Sequence, residues 1–167
     1  AKLEFYKPEE LLEIIYLSAK KLQIDLDRQG GLELARRSRG TPRITLRLLK
    51  RVRDWAQVKK INVITKDVVM ETLSHLGIDR LGLDETDRKL LQTITSKFSG
   101  GPVGLDTLAA TTSEDSNTIE DVFEPYLLQL GLIDRTPRGR IATPHAYKHL
   151  NIDRPEGPVL QTKLFSD

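Results

Sequence analysis

The apolar positions of this chain recur with a helical period for its first 77 residues and then break into shorter, more varied runs. Pro8-Glu9-Glu10 opens the first run. Proline suits the first helical position, where its missing N–H removes no bond, and the two acids lie at the positive end of the helix dipole. Leu11, Leu12, Ile14, Ile15, Leu17 and Leu22 then return at helical spacing. A shorter helix is predicted around Gln29–Ser38, ended by Gly40, after which Thr41-Pro42 restarts the chain with a cap and a first-turn proline. From Arg43 to about Lys59, Ile44, Leu48, Leu49, Val52 and Trp55 make one stripe with a basic face beside it. Thr65 caps a fourth helix to about Leu76 that carries Val68, Val69 and Leu73.

Gly77-Ile78-Asp79-Arg80-Leu81-Gly82-Leu83 has two glycines and no period, which predicts a domain boundary. Beyond it, Asp84 caps a helix to about Phe98 with Leu90, Leu91 and Ile94 inward. Gly100-Gly101-Pro102-Val103-Gly104 reads as a turn with one short extended piece. Short helices follow near Asp106–Thr111 and Asn117–Leu130, the second stopped by Gly131. Leu132–Arg135 and Arg140–Thr143 flank Thr136-Pro137-Arg138-Gly139 as a hairpin, and Thr143-Pro144 caps a last short helix. The order helix, short strand, helix, helix, strand, turn, strand is that of a winged helix. The fold class expected is therefore mainly α: a helical domain over 1–77, a linker over 78–83, a winged helix over 84–150, and a disordered tail over 151–167.

Charge changes the picture by its distribution. The net of +2 hides 16 Lys/Arg against 10 Asp/Glu in residues 1–77 and 10 against 14 in residues 78–167, so that the halves carry +6 and −4. A protein that coats nucleic acid with general positive charge is excluded, and any DNA contact by the second half must come from a local cluster. The apolar fraction of 38% and the length of the apolar runs exclude a membrane span. With no cysteine there is no disulfide framework, and a reducing cytoplasmic setting is expected. The start, Ala-Lys-Leu-Glu-Phe-Tyr, has neither an initiator Met nor a leader, as expected of a piece of a longer protein.

Two constellations carry candidate chemistry. In Arg39-Gly40-Thr41-Pro42-Arg43-Ile44 a helix stops and restarts, placing Arg43 in a first turn whose free amides favour an anion. The competing reading is an ordinary helix start with a solvated arginine. In Arg135-Thr136-Pro137-Arg138-Gly139-Arg140 three arginines share six residues of an otherwise acidic half. Clustering them costs repulsion, which a phosphate contact explains, while a solvated Arg-rich turn is the alternative. Trp55 and Tyr126 sit among aliphatic residues and are expected to pack in cores. His75, His145 and His149 lack partners at metal-ligand spacing, the glycine-rich run lacks a P-loop ending, and no nucleophilic or acid–base centre stands out.

Arg36-Arg37-Ser38-Arg39-Gly40-Thr41-Pro42-Arg43-Ile44, Asp87-Arg88-Lys89-Leu90-Leu91, Gly100-Gly101-Pro102-Val103-Gly104-Leu105-Asp106, Thr118-Ile119-Glu120-Asp121-Val122 and Arg135-Thr136-Pro137-Arg138-Gly139-Arg140 follow one another here as in a known family. In this ordered set the chain resembles the RuvB family of AAA+ Holliday-junction branch-migration ATPases, from Leu3 to Leu150. The resemblance implies that Arg43 is the sensor II arginine reaching the ATP phosphates and that Tyr6 lies beside the nucleotide. It implies that Arg135 and Arg140 on the wing, and more weakly Arg138 at its tip, contact the DNA backbone; the hairpin reading itself places Arg135 and Arg140 on an exposed ribbon, where removing them is expected to cost little stability. It further implies an ATP- and Mg²⁺-dependent translocase when intact, working as a homohexamer on duplex DNA and Holliday junctions with RuvA and RuvC in recombination, repair and the SOS response. The P-loop, the Mg²⁺-coordinating acids, the arginine finger and the RuvA-docking surface belong to a large ATPase subdomain not in this sequence, so the chain alone is expected not to hydrolyse ATP. Where some members of that family carry a basic residue just before the recognition-like helix, this chain has Glu114-Asp115-Ser116, which leaves the wing to do more. The competing identities are the lid and winged helix of another AAA+ replication ATPase, a stand-alone winged-helix DNA-binding regulator, and a winged helix that binds protein. The carboxylates Glu120, Asp121 and Glu124 on the recognition-like helix, with no Lys or Arg, disfavour base reading.

Overall fold

Helix after helix fills the chain up to Gly77 in the computed structural model, which describes residues 5–155: α1 (Pro8–Lys21), α2 (Arg28–Arg36), α3 (Pro42–Lys59) and α4 (Lys66–His75). Each start has a local cause. Pro8 occupies the first helical position of α1, and Glu10 reaches back to accept the Lys7 amide at 2.8 Å. Asp27 accepts Gly30 N–H at 2.6 Å to open α2, and Thr65 accepts Val68 N–H at 3.4 Å to open α4. Most of the predicted stripes turn inward, with Leu11, Ile15, Leu34, Leu49, Val52, Val69 and Leu73 all inaccessible to solvent in one cluster, but Leu17, counted in the α1 stripe, is 65% exposed. Trp55 departs from the core placement expected of it. It is only partly buried, with His75 tilted against its ring at a centroid distance of 4.6 Å and the Lys59 ammonium over its face at 5.2 Å.

By its contacts the chain divides into two compact units, Ala1–Arg88 and Lys89–Asp167. The division falls past the glycine-bearing stretch because three arginines strap residues 78–88 to the first unit. Arg37 binds Glu33 at 2.9 Å and the Ile78 carbonyl at 3.4 Å. Arg88 donates to the carbonyls of Leu83 and Gly77, both at 2.8 Å. Arg39 donates to the Gly82 carbonyl at 3.4 Å and forms a two-pronged ion pair with Asp87. Asp87 has no solvent-exposed surface. Burial pushes its carboxyl up to about 6 from an ordinary 3.8, against the pull of the Arg39 guanidinium. Asp84 and Asp87 also cap reciprocally, each carboxylate accepting the other's amide at 2.9 Å, and this fixes the start of α5 (Glu85–Gln92).

The second unit continues α5 as a π-helical turn, Thr93–Lys97, where Thr93 and Thr95 return their hydroxyls to the carbonyls of Lys89 and Leu91, both at 2.8 Å. Then come α6 (Leu105–Thr112), α7 (Ser116–Thr118), a second π turn (Ile119–Phe123) and α8 (Glu124–Gln129), the last three forming one helical stretch over 116–129. Pro125 has no N–H to give the Asp121 carbonyl, a physical reason for the ladder to widen there. Strands β1 (Ile133–Thr136) and β2 (Gly139–Ala142) pair antiparallel, with Arg135 opposite Arg140. Val103, the predicted extended piece, adds a third rung by exchanging two backbone bonds with Arg140, at 2.9 and 2.8 Å. Helix α9 (Pro144–Leu150) closes the unit. Leu91, Ile94, Val103, Leu108, Ile119, Leu127, Leu132, Ile133 and Tyr147 form the buried interior, and Tyr126 joins them as expected of it. This is the mainly helical, winged-helix architecture that the sequence pattern predicts. Of the expected tail over 151–167, residues 156–167 lie outside the described residues. Among the described residues no helix is long and apolar enough to cross a membrane, and no cluster of three metal-ligating side chains occurs.

Candidate functional site

In the first unit, the loop between α2 and α3 brings Tyr6 and Arg43 to one end of α3. The Tyr6 amide donates to the Gly40 carbonyl at 2.8 Å. Gly40 has φ +63°, and a Cβ there would stand 2.9 Å from Phe5 Cβ and 3.1 Å from the Tyr6 carbonyl. Only glycine lets the incoming chain lie so close while taking that backbone conformation. Pro42 holds the first position of α3. Thr41 stands at the cap position without capping, because its hydroxyl turns back to the Arg39 carbonyl at 3.2 Å. The side-chain cap expected from Thr41 is thus absent, and the first amides of α3 keep their capacity for an anion. Arg43 is exposed in that first turn and Tyr6 is 47% exposed.

In the second unit, the hairpin presents Arg138 at its exposed tip, after Pro137. Thr136 Oγ1 donates to the Gly139 carbonyl at 2.8 Å and accepts the Arg138 amide at 3.3 Å, tightening the turn. Gly139, with φ +133°, passes so close to the Val103 carbonyl that no Cβ fits between them.

The two strand arginines are not free ribbon charges. Both grip Glu124, at the start of α8, whose side chain is 1% exposed. Arg135 Nε binds Glu124 Oε1, while Arg140 Nε binds Oε2 at 3.0 Å and its Nη2 binds Oε1 at 3.2 Å. The Arg135 side chain remains 48% exposed, but that of Arg140 only 15%. The expectation that both lie on an exposed ribbon is corrected for Arg140. Reading Glu124 as an acid facing DNA is corrected as well: it is buried beneath the wing, whereas Asp121 is exposed and Glu120 half-buried. A signal was present, since Glu124 precedes Leu127 and Leu128 at helical spacing and so falls on the apolar side of its helix. An acid on that side needs a buried cation, and the wing supplies two.

Comparison with known proteins bears on both units. A family model described as the RuvB AAA lid domain matches residues 6–79, and one described as the RuvB C-terminal winged helix domain matches residues 80–151. Among solved structures, the RuvB Holliday junction branch migration motor of Thermotoga maritima is similar with a TM-score of 0.89 and 50% identity, covering 92% of this chain and 51% of that chain. Two single-substitution forms of that protein give the same TM-score, identity and coverage. This chain therefore spans about half the length of those solved relatives. With the lid and the winged helix matched in order along nearly all of its length, the chain belongs to the RuvB family.

Proposed function

We propose that this chain is the nucleotide-sensing lid and the DNA-gripping head of an ATP-driven motor that moves Holliday junctions during recombination and repair. Residues 1–77 serve as the lid, 78–83 as the connector and 84–150 as the head. The observation that carries the reading is the wing, where three arginines converge on one short hairpin of a half that is acidic overall. Similarity to a relative named as a branch migration motor supports it. The lid residues fit a nucleotide phosphate, for the start of α3 is uncapped and carries an exposed arginine, and the Tyr6 amide is tied to the Gly40 carbonyl just before that start. ATP, when bound, supplies the phosphoanhydride whose hydrolysis drives movement. Arg43 would fork onto its phosphate oxygens, and Tyr6 would flank it. The P-loop, the Mg²⁺-holding acids and the RuvA contact are assigned to further sequence of the intact protein, which works as a cytoplasmic homohexamer and hands junctions to RuvC.

The recognition-like stretch over 116–129 has no lysine or arginine, so the contact is with phosphate and not with base edges. Fluorescence anisotropy of the chain with a labelled duplex tests this. With two or three phosphate contacts, the slope of log affinity against log salt should be about −2 to −3 and independent of sequence. Binding that a scrambled duplex fails to compete away, or that salt does not weaken, would refute the reading.

A further inference from the structure

We infer that Glu124 is a positioning residue for DNA binding: a buried carboxylate that holds Arg135 and Arg140 by their inner edges and presents their outer nitrogens to phosphate. The inference rests on the proposed role of the wing. An acid beneath a DNA-facing surface is unexpected, because its charge subtracts from the field that attracts phosphate. Its placement gives it another use. The Nε–H of each arginine, the group nearest the backbone, is directed to one oxygen of the same carboxylate. Among the described residues no partner is present for Nη1 and Nη2 of Arg135 or for Nη1 of Arg140. Each guanidinium is planar, so fixing its inner edge also fixes the plane in which its outer N–H groups point.

The two arginines stand directly opposite each other on β1 and β2, so one carboxylate orients both. Free arginine side chains would have to be ordered on binding, at a cost that falls on affinity; here folding of the head orders them in advance. The arrangement requires both carboxylate oxygens. A glutamine has one carbonyl oxygen, and its amide end would point N–H at N–H: with the oxygen at the Oε1 place Arg140 keeps only its Nη2 bond and loses the Nε bond that fixes its inner edge, and with the oxygen at the Oε2 place Arg135 is released.

Charge and positioning therefore predict opposite outcomes for Glu124→Gln. If only charge matters, removing an acid from beneath the wing tightens DNA binding. If Glu124 positions the arginines, the same change weakens binding by about three- to tenfold, the equivalent of one arginine left to be ordered on binding. The measurement is anisotropy of a labelled duplex with the 167-residue chain across a salt series. The salt slope should become shallower by about 1 as one phosphate contact is lost. A merely structural role would not produce the accompanying signature, in which the Nε–H resonance of one wing arginine, protected in the unsubstituted chain, moves into fast exchange while the rest of the amide spectrum is retained.

Affinity that is unchanged or tighter in a folded Glu124→Gln chain overturns the inference and leaves the wing reading standing. An unsubstituted chain without salt-sensitive duplex binding overturns both. Should Glu124→Gln fail to fold, the double variant R135K/R140K decides. It keeps the net charge, but a lysine that pairs with Glu124 has no second edge to offer phosphate. It should lose affinity by a similar factor, and full retention overturns the inference.

Discussion

Truncating both strand arginines of the wing to alanine should destabilise the second unit substantially. The magnitude follows from where the charges sit. Glu124 is 1% exposed, and removing its partners leaves an ionised carboxylate without compensation in a desolvated place. Breaking a buried pair from one side costs about 3–5 kcal/mol. Arg135 is 48% exposed, so its contribution is screened and nearer the ~0–1 kcal/mol of a surface pair, while Arg140, at 15%, carries most of the effect. The double variant should therefore lose about 3 kcal/mol. For a domain of this size each kcal/mol moves the thermal midpoint by roughly 4–8 °C, which puts the shift on the order of 15 °C. Thermal unfolding by circular dichroism reads the shift, and amide exchange at the β1–β2 bonds localises it. Adding Glu124→Leu to the double variant should restore most of the loss, because a similar apolar volume needs no ion pair. A double variant that melts within about 2 °C of the unsubstituted chain would refute the claim that these arginines neutralise a buried acid.

Three further outcomes are expected. The Asp87 carboxyl, raised to about 6 from 3.8, releases its proton in the unfolded chain before it does in the folded one. Its stabilising contribution is thus complete below about pH 4 and is lost as pH rises through 6, at about 1.4 kcal/mol per pH unit, or about 3 kcal/mol in all; urea unfolding between pH 4 and pH 7 should show this slope, and Asp87→Asn should flatten it. Gly139→Ala introduces a Cβ against the Val103 carbonyl at a φ of +133°, and should cost more than about 1 kcal/mol in chemical unfolding, with loss of protection at the Arg140 amide. In the intact motor, Arg43→Ala should lower steady-state ATP hydrolysis at least tenfold at an unchanged melting midpoint of the head, a change of about 1.4 kcal/mol or more in transition-state stabilisation; unchanged hydrolysis would remove Arg43 from the nucleotide site.

Helix starts were the most legible part of this sequence because their causes are local. Pro8 with its two acids, Thr65 and the Asp84 cap each act within one turn, and each begins a helix where the pattern places it. Two features depended on contacts distant in sequence and were not legible. The unit division follows from Arg39 reaching Asp87 across 48 positions, which no periodicity reveals. Val103 was legible as an extended residue, but its pairing with Arg140 depends on a chain reversal 37 positions later. Thr41 fails for a subtler reason, since a threonine at a cap position has two nearby backbone groups to choose between and here takes the carbonyl of Arg39.

The wing shows why counting charges was insufficient at the site itself. The sequence locates the arginine cluster, yet a sum over the second half weights all of its carboxylates alike, and they are not alike. Asp121 faces solvent and opposes phosphate, whereas Glu124 is enclosed by the two arginines it would otherwise cancel at the surface. Under the proposed function, the field a duplex would meet at the hairpin is set by outer guanidinium edges and the exposed Arg138, with the acidic surroundings limiting how far it extends. Such a contact would be short-ranged and blind to sequence, and the surrounding charge would repel the strand on either side of it. Under the proposed function that weakness is useful: a head that grips through a few phosphates can release them at each step, while one bound through a broad basic face would hold the DNA it is meant to move.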